Sequence, residues 1–285
     1  KYDGDNLYMK ARYNKLEDIV FLMKKRGDNN LFDFDKIYCT ENSSTLSADL
    51  TEKRLILSNN TDFFSPHQVR AINNIDGDET TNYFLTGGNH NHNGVATAMC
   101  TSVQVFVDGK EVDRYEGYTD KIDVKWVNMI TGHNTFKADG TGRYILKETI
   151  NATIIGSKIN VLIEHLPLED IYHSIYYGLE SVNTPYTYLK YIEGSNSDEI
   201  DVREESNSGN LACHCIEAYN LTTGDALKTK ITDEGYGTFS LTGVDYSAFA
   251  KNNKTYWSLL KDKTVKQNKN DLYTLEGSYT FSSMS

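Results

Sequence analysis

Between Val103 and Leu166 apolar and polar residues alternate with a period of two, interrupted at short intervals by turn signals. This pattern constrains the fold more than any other feature of the chain. Val103, Val105 and Val107 alternate, Asp108-Gly109 supplies a hairpin turn, and Val112 begins the return. Ile122, Val124 and Trp126 line one face of the next strand. Arg143 to Ile155 reads as a long strand, Gly156-Ser157 as its turn, and Lys158 to Leu166 as its return, with Ile159, Val161 and Ile163 on one side. Further strands are expected at 174–180, 186–192, 211–219, 237–241 and 272–281. Many strands with closely spaced turns mean a sandwich or barrel. Alternating β and α units are absent from the pattern, which excludes doubly wound and TIM-barrel folds.

The expected fold is therefore all-β: one large antiparallel β-sandwich, supersandwich or jelly-roll-like, with few short helices. One helix is expected near Tyr246–Ala250. Residues 1–30 differ from the rest. Leu16, Ile19, Val20 and Met23 fall at helical spacing, yet Asp18 to Met23 also suits a buried strand, with a turn over Gly27 to Asn30. The chain thus divides into an N-terminal segment, 1–30, helix or first strand, and a single sandwich domain, 31–285. The polar stretch 194–210 reads as a loop. The chain does not begin with Met, which suggests a fragment or processed product.

Composition narrows the function. A net charge of −11 without a strong basic cluster excludes nucleic acid as the main partner. No apolar run approaches the roughly 18 residues of a membrane span, and the acidity disfavours anionic membranes. Twenty tyrosines favour strands and offer flat contact surfaces. Cys39, Cys100, Cys213 and Cys215 permit disulfides without implying them. Cys213-His214-Cys215 lacks a second pair at zinc spacing, so no residue is assigned to a metal and no cofactor is expected. The acidic turn Asp76-Gly77-Asp78-Glu79 is the one candidate for Ca²⁺, without the full EF-hand ligand series.

Two stretches could carry chemistry. In Thr86-Gly-Gly-Asn-His-Asn-His-Asn-Gly94, Asn89 and His90 could bond sugar hydroxyls, and His90 or His92 could act as acid, base or ligand. The same residues also suit a plain polar surface loop. Upstream, Arg70 could clamp a carboxylate or a sugar ring. Downstream, Glu164-His165 and Tyr172-His173-Ser-Ile-Tyr176-Tyr177 gather carboxylate, imidazole and phenol in the combination general acid–base catalysis uses, or form a strand end and turn.

The Asn- and Tyr-rich strands, Asn29-Asn-Leu-Phe-Asp-Phe34, the Thr-Gly-Gly-Asn-His loop, Val107-Asp-Gly-Lys110 and Ile175-Tyr-Tyr-Gly-Leu179 resemble phage tail, appendage and receptor-binding proteins of Gram-positive hosts. That resemblance implies a virion-surface or extracellular location, bacterial surface polysaccharide or teichoic acid as partner, contacts with other virion subunits, and a homotrimer. A second resemblance is to galactose-mutarotase-like supersandwich proteins, which place an Arg, a glycine-flanked His, a His before a Tyr-rich strand and a late Glu. Here Arg70, His92, His173 and Glu276 fall in that order. The leading expectation is a glycan-binding surface protein with Arg70, Asn89, His90, Glu164 and His165 contacting substrate. The alternative is a lyase, hydrolase or epimerase using His92, His173 and Tyr176 as acid–base groups. A purely structural particle protein is the third. Convergence of Arg70, His90, His92 and His173 in one concave pocket would favour the enzyme.

Overall fold

The computed structural model describes residues 1–42, 49–57, 62–73, 83–183, 185–192, 199–201, 211–213, 215–232, 247–257, 259–260 and 264–283. Among these, every regular element is a strand. In chain order they are β1 (Leu7–Arg12), β2 (Glu17–Arg26), β3 (Leu31–Glu41), β4 (Arg54–Leu57), β5 (His67–Ala71), β6 (Asn91–His92), β7 (Val95–Ala96) and β8 (Ala98–Val107). Then come β9 (Lys110–Val112), β10 (Ile122–Thr131), β11 (Tyr144–Ile155), β12 (Lys158–Pro167), β13 (Ile171–Tyr176), β14 (Ser181–Val182), β15 (Tyr188–Ile192) and β16 (Glu199–Asp201). The last are β17 (Leu211–Ala212), β18 (Cys215–Tyr219), β19 (Asp225–Ile231), β20 (Ser247–Lys251), β21 (Lys254–Trp257), β22 (Val265–Gln267) and β23 (Tyr273–Ser283).

The dominant layer is a ten-stranded sheet in the order β16-β15-β18-β19-β23-β12-β11-β10-β8-β9. Its long central ladders are antiparallel, and β10, β11 and β12 follow the alternation read from the sequence. Asp108 and Gly109 both take positive φ (49° and 77°), the geometry a two-residue hairpin turn needs. Val124, Trp126, Ile150, Ala152, Val161 and Ile163 form the buried inner face. The sheet β1-β2-β3-β4 packs against it, with Phe21 edge-on to Phe281 (ring centroids 5.5 Å apart) and Phe32 edge-on to Trp126 (5.7 Å). A three-stranded sheet, β22-β13-β5, and a second four-stranded sheet, β14-β21-β20-β17, complete the architecture. This is a large antiparallel β-sandwich.

The structure settles one open expectation and corrects two. Asp18 to Met23 is strand, within β2: Ile19, Val20, Phe21, Leu22 and Met23 are all buried because β2 is covered on both faces, while Leu16 lies ahead of the strand and is exposed. A run that is apolar on both sides contains spacings of three and four, and these mimic a helical stripe. Of the helix expected at Tyr246–Ala250, Ser247–Ala250 is instead strand β20, paired with β21, and Tyr246 lies outside the described residues. The stretch 211–219 is split between β17 and β18, which lie in different sheets. Residue 30 falls in the turn joining β2 to β3, and Leu7, Ile19 and Phe21 share one core cluster with Trp126 and Phe281. Within 194–210, Glu199–Asp201 is strand β16, paired with β15. The remainder of that stretch, 237–241 and the Asp76–Glu79 turn lie outside the described residues.

An ion-pair network ties the two layers together. Arg54 on β4 makes a bidentate pair with Glu17 (Nη2···Oε2 2.6 Å, Nε···Oε1 3.1 Å) and contacts the buried Asp225 carboxylate on β19. Tyr13 and Thr223 also donate to Asp225. Arg54→Leu should lower stability by about 3 kcal/mol, because it leaves a buried carboxylate without its cation. The midpoint of urea unfolding measures this.

Candidate functional site

Polar residues interrupt the inner face of the large sheet along a single row. The antiparallel register places Asn128 (β10), Glu148 (β11), His165 (β12) and Tyr273 (β23) side by side on adjacent strands. Each stands in an otherwise apolar stripe, and each is buried. The three-stranded sheet closes over this row and adds His67 (β5), His173 (β13) and Gln267 (β22), all fully buried.

The side chains form one connected network. Glu148 Oε2 lies 3.0 Å from both His67 Nε2 and His165 Nε2, while Asn128 Nδ2 donates to Oε1 at 2.9 Å. His67 Nδ1 faces His173 Nε2 at 3.2 Å, and His173 Nδ1 faces Gln267 Oε1 at 3.2 Å. The Tyr176 ring stacks on His67, 5.1 Å away and 2° from parallel. Burial alone would push the Glu148 carboxyl up, but the bonds from His165 and His67 outweigh it and hold it well below the ordinary carboxylate range. Burial lowers His165 to about 4. His173 is also lowered, by burial and then by its histidine neighbours.

A β-bulge explains how His173 and Tyr176 share a face. The register against β5 slips between His173 and Ile175, so the extra residue Ser174 changes the parity of β13. His173 and Tyr176 then both point inward, as does His67, while Arg70 and Tyr172, paired across the ladder, point outward. Arg70 and His173 therefore lie on opposite faces of one sheet and do not converge.

The outward face carries an aromatic strip. The Arg70 guanidinium sits 4.9 Å from the Tyr172 ring centroid and 5.9 Å from that of Tyr83. It pairs with no carboxylate among the described residues. Tyr83, 59% exposed, leans on His133 (5.2 Å), and His133 on Phe84 (5.8 Å). Phe84 stacks on His92, with centroids 4.1 Å apart and rings 5° from parallel, and Phe136 backs them both. His133 is only 4% exposed, and its Nδ1 has no hydrogen-bond partner among the described residues. Burial, and then the Arg70 charge, lower its pKa to about 4, so the ring is neutral at physiological pH.

The Thr86–Gly94 loop is held from below. Asn29, in the β2–β3 turn, donates to the carbonyls of Gly88 and His90, both at 2.8 Å, and accepts from Thr97 N at 2.8 Å. Asn89 turns its Oδ1 onto Asp28 N (2.6 Å) and so serves the turn rather than a ligand. His90 is half-buried within the field of Asp62, and burial lowers its pKa. Of the loop's candidates, His92 alone joins the strip.

No family model matches the sequence, and no curated protein matches it. Solved structures resemble it in fold. The galactosidase domain of an α-galactosidase–sucrose kinase aligns over 99% of this chain and 41% of its own, at 8% identity and a TM-score of 0.51. A family GH36 α-galactosidase from Geobacillus stearothermophilus, in complex with 1-deoxygalactonojirimycin, aligns over 98% and 41%, at 10% identity and 0.53. A looser match, at 9% identity and 0.44, is a GalM/aldose epimerase homologue from C. elegans, covering 98% of this chain and 100% of that one. The chain thus spans about two-fifths of the length of the galactosidases it matches. The likeness to the galactosidases is one of fold. None of these structures is a phage protein.

The other candidates are dispersed. Glu164 lies on the outer face of β12, opposite its neighbour His165, and accepts a bond from Asn151 (3.2 Å). Glu276 is exposed on the outer face of β23. His165, His173 and Tyr176 are enclosed, so a substrate meets none of them in this conformation. Sequence reasoning missed Glu148, Tyr83, Phe84, His133 and Gln267, and passed over His67. A larger hollow, of about 440 Å³, lies elsewhere, between β1 and residues 116–121, and contains none of the candidates.

Proposed function

We propose that the chain is a sugar-recognition domain of a carbohydrate-active protein and binds glycan along the strip from Arg70 to His92. One observation carries this: a guanidinium without a carboxylate partner among the described residues lies over two tyrosine rings, at the end of a continuous line of aromatic side chains. Aromatic faces stack on the apolar faces of sugar rings, and Arg and His bond hydroxyls or an anionic substituent. The fold shared with galactosidase domains supports the same class of ligand. Recognition is favoured over turnover because His173 and Tyr176 are enclosed. A virion-surface or extracellular setting, a trimer and a bacterial wall polymer as ligand extend the proposal on the sequence resemblance alone.

Calorimetric titration with raffinose-type galactosides and with teichoic acid tests it. Saturable binding to one of them is expected, weakened about fivefold to tenfold by Tyr83→Ala or Tyr172→Ala, a loss of about 1 kcal/mol. Polymer recovered at unchanged length after incubation separates binding from cleavage. Flat titrations with both glycans, or unchanged affinity in both variants, would contradict it.

A further inference from the structure

We propose that His67, Glu148 and His165 hold a divalent first-row transition ion, Zn²⁺ foremost, between β5, β11 and β12. Two imidazole Nε2 atoms face the same carboxylate oxygen at 3.0 Å, and the three ligand atoms lie within 4.8 Å of one another. Tetrahedral ligands about 2.0–2.1 Å from Zn²⁺ stand about 3.3 Å apart, so each nitrogen–oxygen separation needs to open by about 0.3 Å while the two imidazole nitrogens, within 4.8 Å of one another, draw together over the ion. Two imidazoles and one carboxylate form a borderline nitrogen–oxygen set, suited to Zn²⁺ and its first-row neighbours rather than to Ca²⁺ or Mg²⁺.

The hydrogen-bond network around the three residues accommodates the ion. With protons alone, His67 and His165 each donate from Nε2 to Glu148. Neutral His67 must then accept at Nδ1 from His173 Nε2–H, which leaves the bare Nδ1 of His173 facing Gln267 Oε1, acceptor against acceptor at 3.2 Å. An additional proton on His67 relieves this, as does a reversed Gln267 amide, whose Nε2 has no partner among the described residues. An ion on the two Nε2 atoms removes the conflict. His67 Nδ1–H then donates to His173 Nε2, and His173 Nδ1–H donates to Gln267 Oε1. Metal-bound histidines characteristically hand their second N–H to such a partner. Space for a bound water exists nearby: a cavity of about 20 Å³ is lined by Glu148, Trp126 and Asn128, and Trp126 Nε1 and Asn128 Oδ1 have no partner among the described residues. The register fixes Glu148 opposite His165, so two of the three ligands are placed by one ladder. The ion would pin the three-stranded sheet to the large one.

Elemental analysis of protein purified without chelator tests this, independently of glycan binding. About one transition ion per chain is expected, whether retained or taken up from Zn²⁺ or Co²⁺ and then desalted, with a content at least tenfold lower in Glu148→Gln and His165→Gln. His90→Gln should keep its metal. Removing the ion with dipicolinate should lower Tm by about 5 °C or more, and Zn²⁺ but not Mg²⁺ should restore it. Should the variants fail to fold, the wild-type protein still decides: Zn²⁺ must shift the ring signals of His67 and His165 in NMR spectra. Wild-type protein that holds no ion and takes up none of Zn²⁺, Co²⁺, Ni²⁺, Fe²⁺ or Mn²⁺ overturns the proposal. So does metal retained by folded His165→Gln, or an ion that shifts only His90 and His92.

Discussion

Glu148→Ala is expected to lower unfolding stability by about 4 kcal/mol or more, because three buried donors lose their acceptor at once and each unsatisfied group costs about 1–3 kcal/mol. His67, His165 and Asn128 all terminate on this carboxylate, and none reaches water. Against the typical total of about 5–15 kcal/mol, one substitution would bring the chain close to its folding threshold. Glu164→Ala is the internal comparison. That side chain lies on the opposite face of β12 and makes one bond to a half-buried asparagine, so its loss should cost less than about 1 kcal/mol. Urea unfolding followed by far-UV circular dichroism measures both. Similar costs for the two variants would mean that the buried network contributes little.

Stability should also fall steeply as pH drops below about 6.5. His165 is lowered to about 4 and His173 is lowered too, so the unfolded chain takes up protons on these rings while the folded chain still excludes them. Their contribution is fully present above the ordinary histidine value and is lost as pH falls toward the folded values. Glu148, depressed by its histidine bonds, acts in the same direction below the ordinary carboxylate range. Each fully buried ring contributes a slope of up to about 1.4 kcal/mol per pH unit. Unfolding midpoints at pH 7.5, 6.0 and 5.0 should therefore decline, with acceleration below pH 6. A flat profile over that interval would mean that the network accepts protons without loss. An ion at the same ligands would steepen the decline, since protons compete for its nitrogens.

Much of the fold was legible because the central strands are covered differently on their two faces. Val124 and Trp126, or Ile159, Val161 and Ile163, announce their strands by parity alone. β2 did not, because both of its faces are buried and a fully apolar run carries no period. The site was harder to read. Glu164 and His165 are neighbours in sequence and so fall on opposite faces of a strand, and Arg70 is separated from His67 in the same way. Grouping them by proximity in sequence joined residues that the pleat separates. The bulge at Ser174, which sets His173 and Tyr176 on one face, has no sequence signal. One signal was available: Asn128, Glu148 and His165 each interrupt an apolar stripe, and three interruptions on strands read as consecutive hairpins fall into one row. The outward strip depends on a long-range approach of Tyr83 and Phe84 to Arg70 and His133, which no local pattern reports.

The central claim is a division of labour, with glycan on the outward strip and the buried histidines kept for structure. Histidine-ring NMR reads both at once, because His92 and His133 belong to the strip while His67, His165 and His173 belong to the core. During titration with the glycan that binds in calorimetry, the signals of His92 and His133 should move in a saturable way while the other three stay fixed. Shifts confined to His67, His165 and His173, or a saturating glycan that moves no histidine because it occupies the hollow beside β1, would contradict the account.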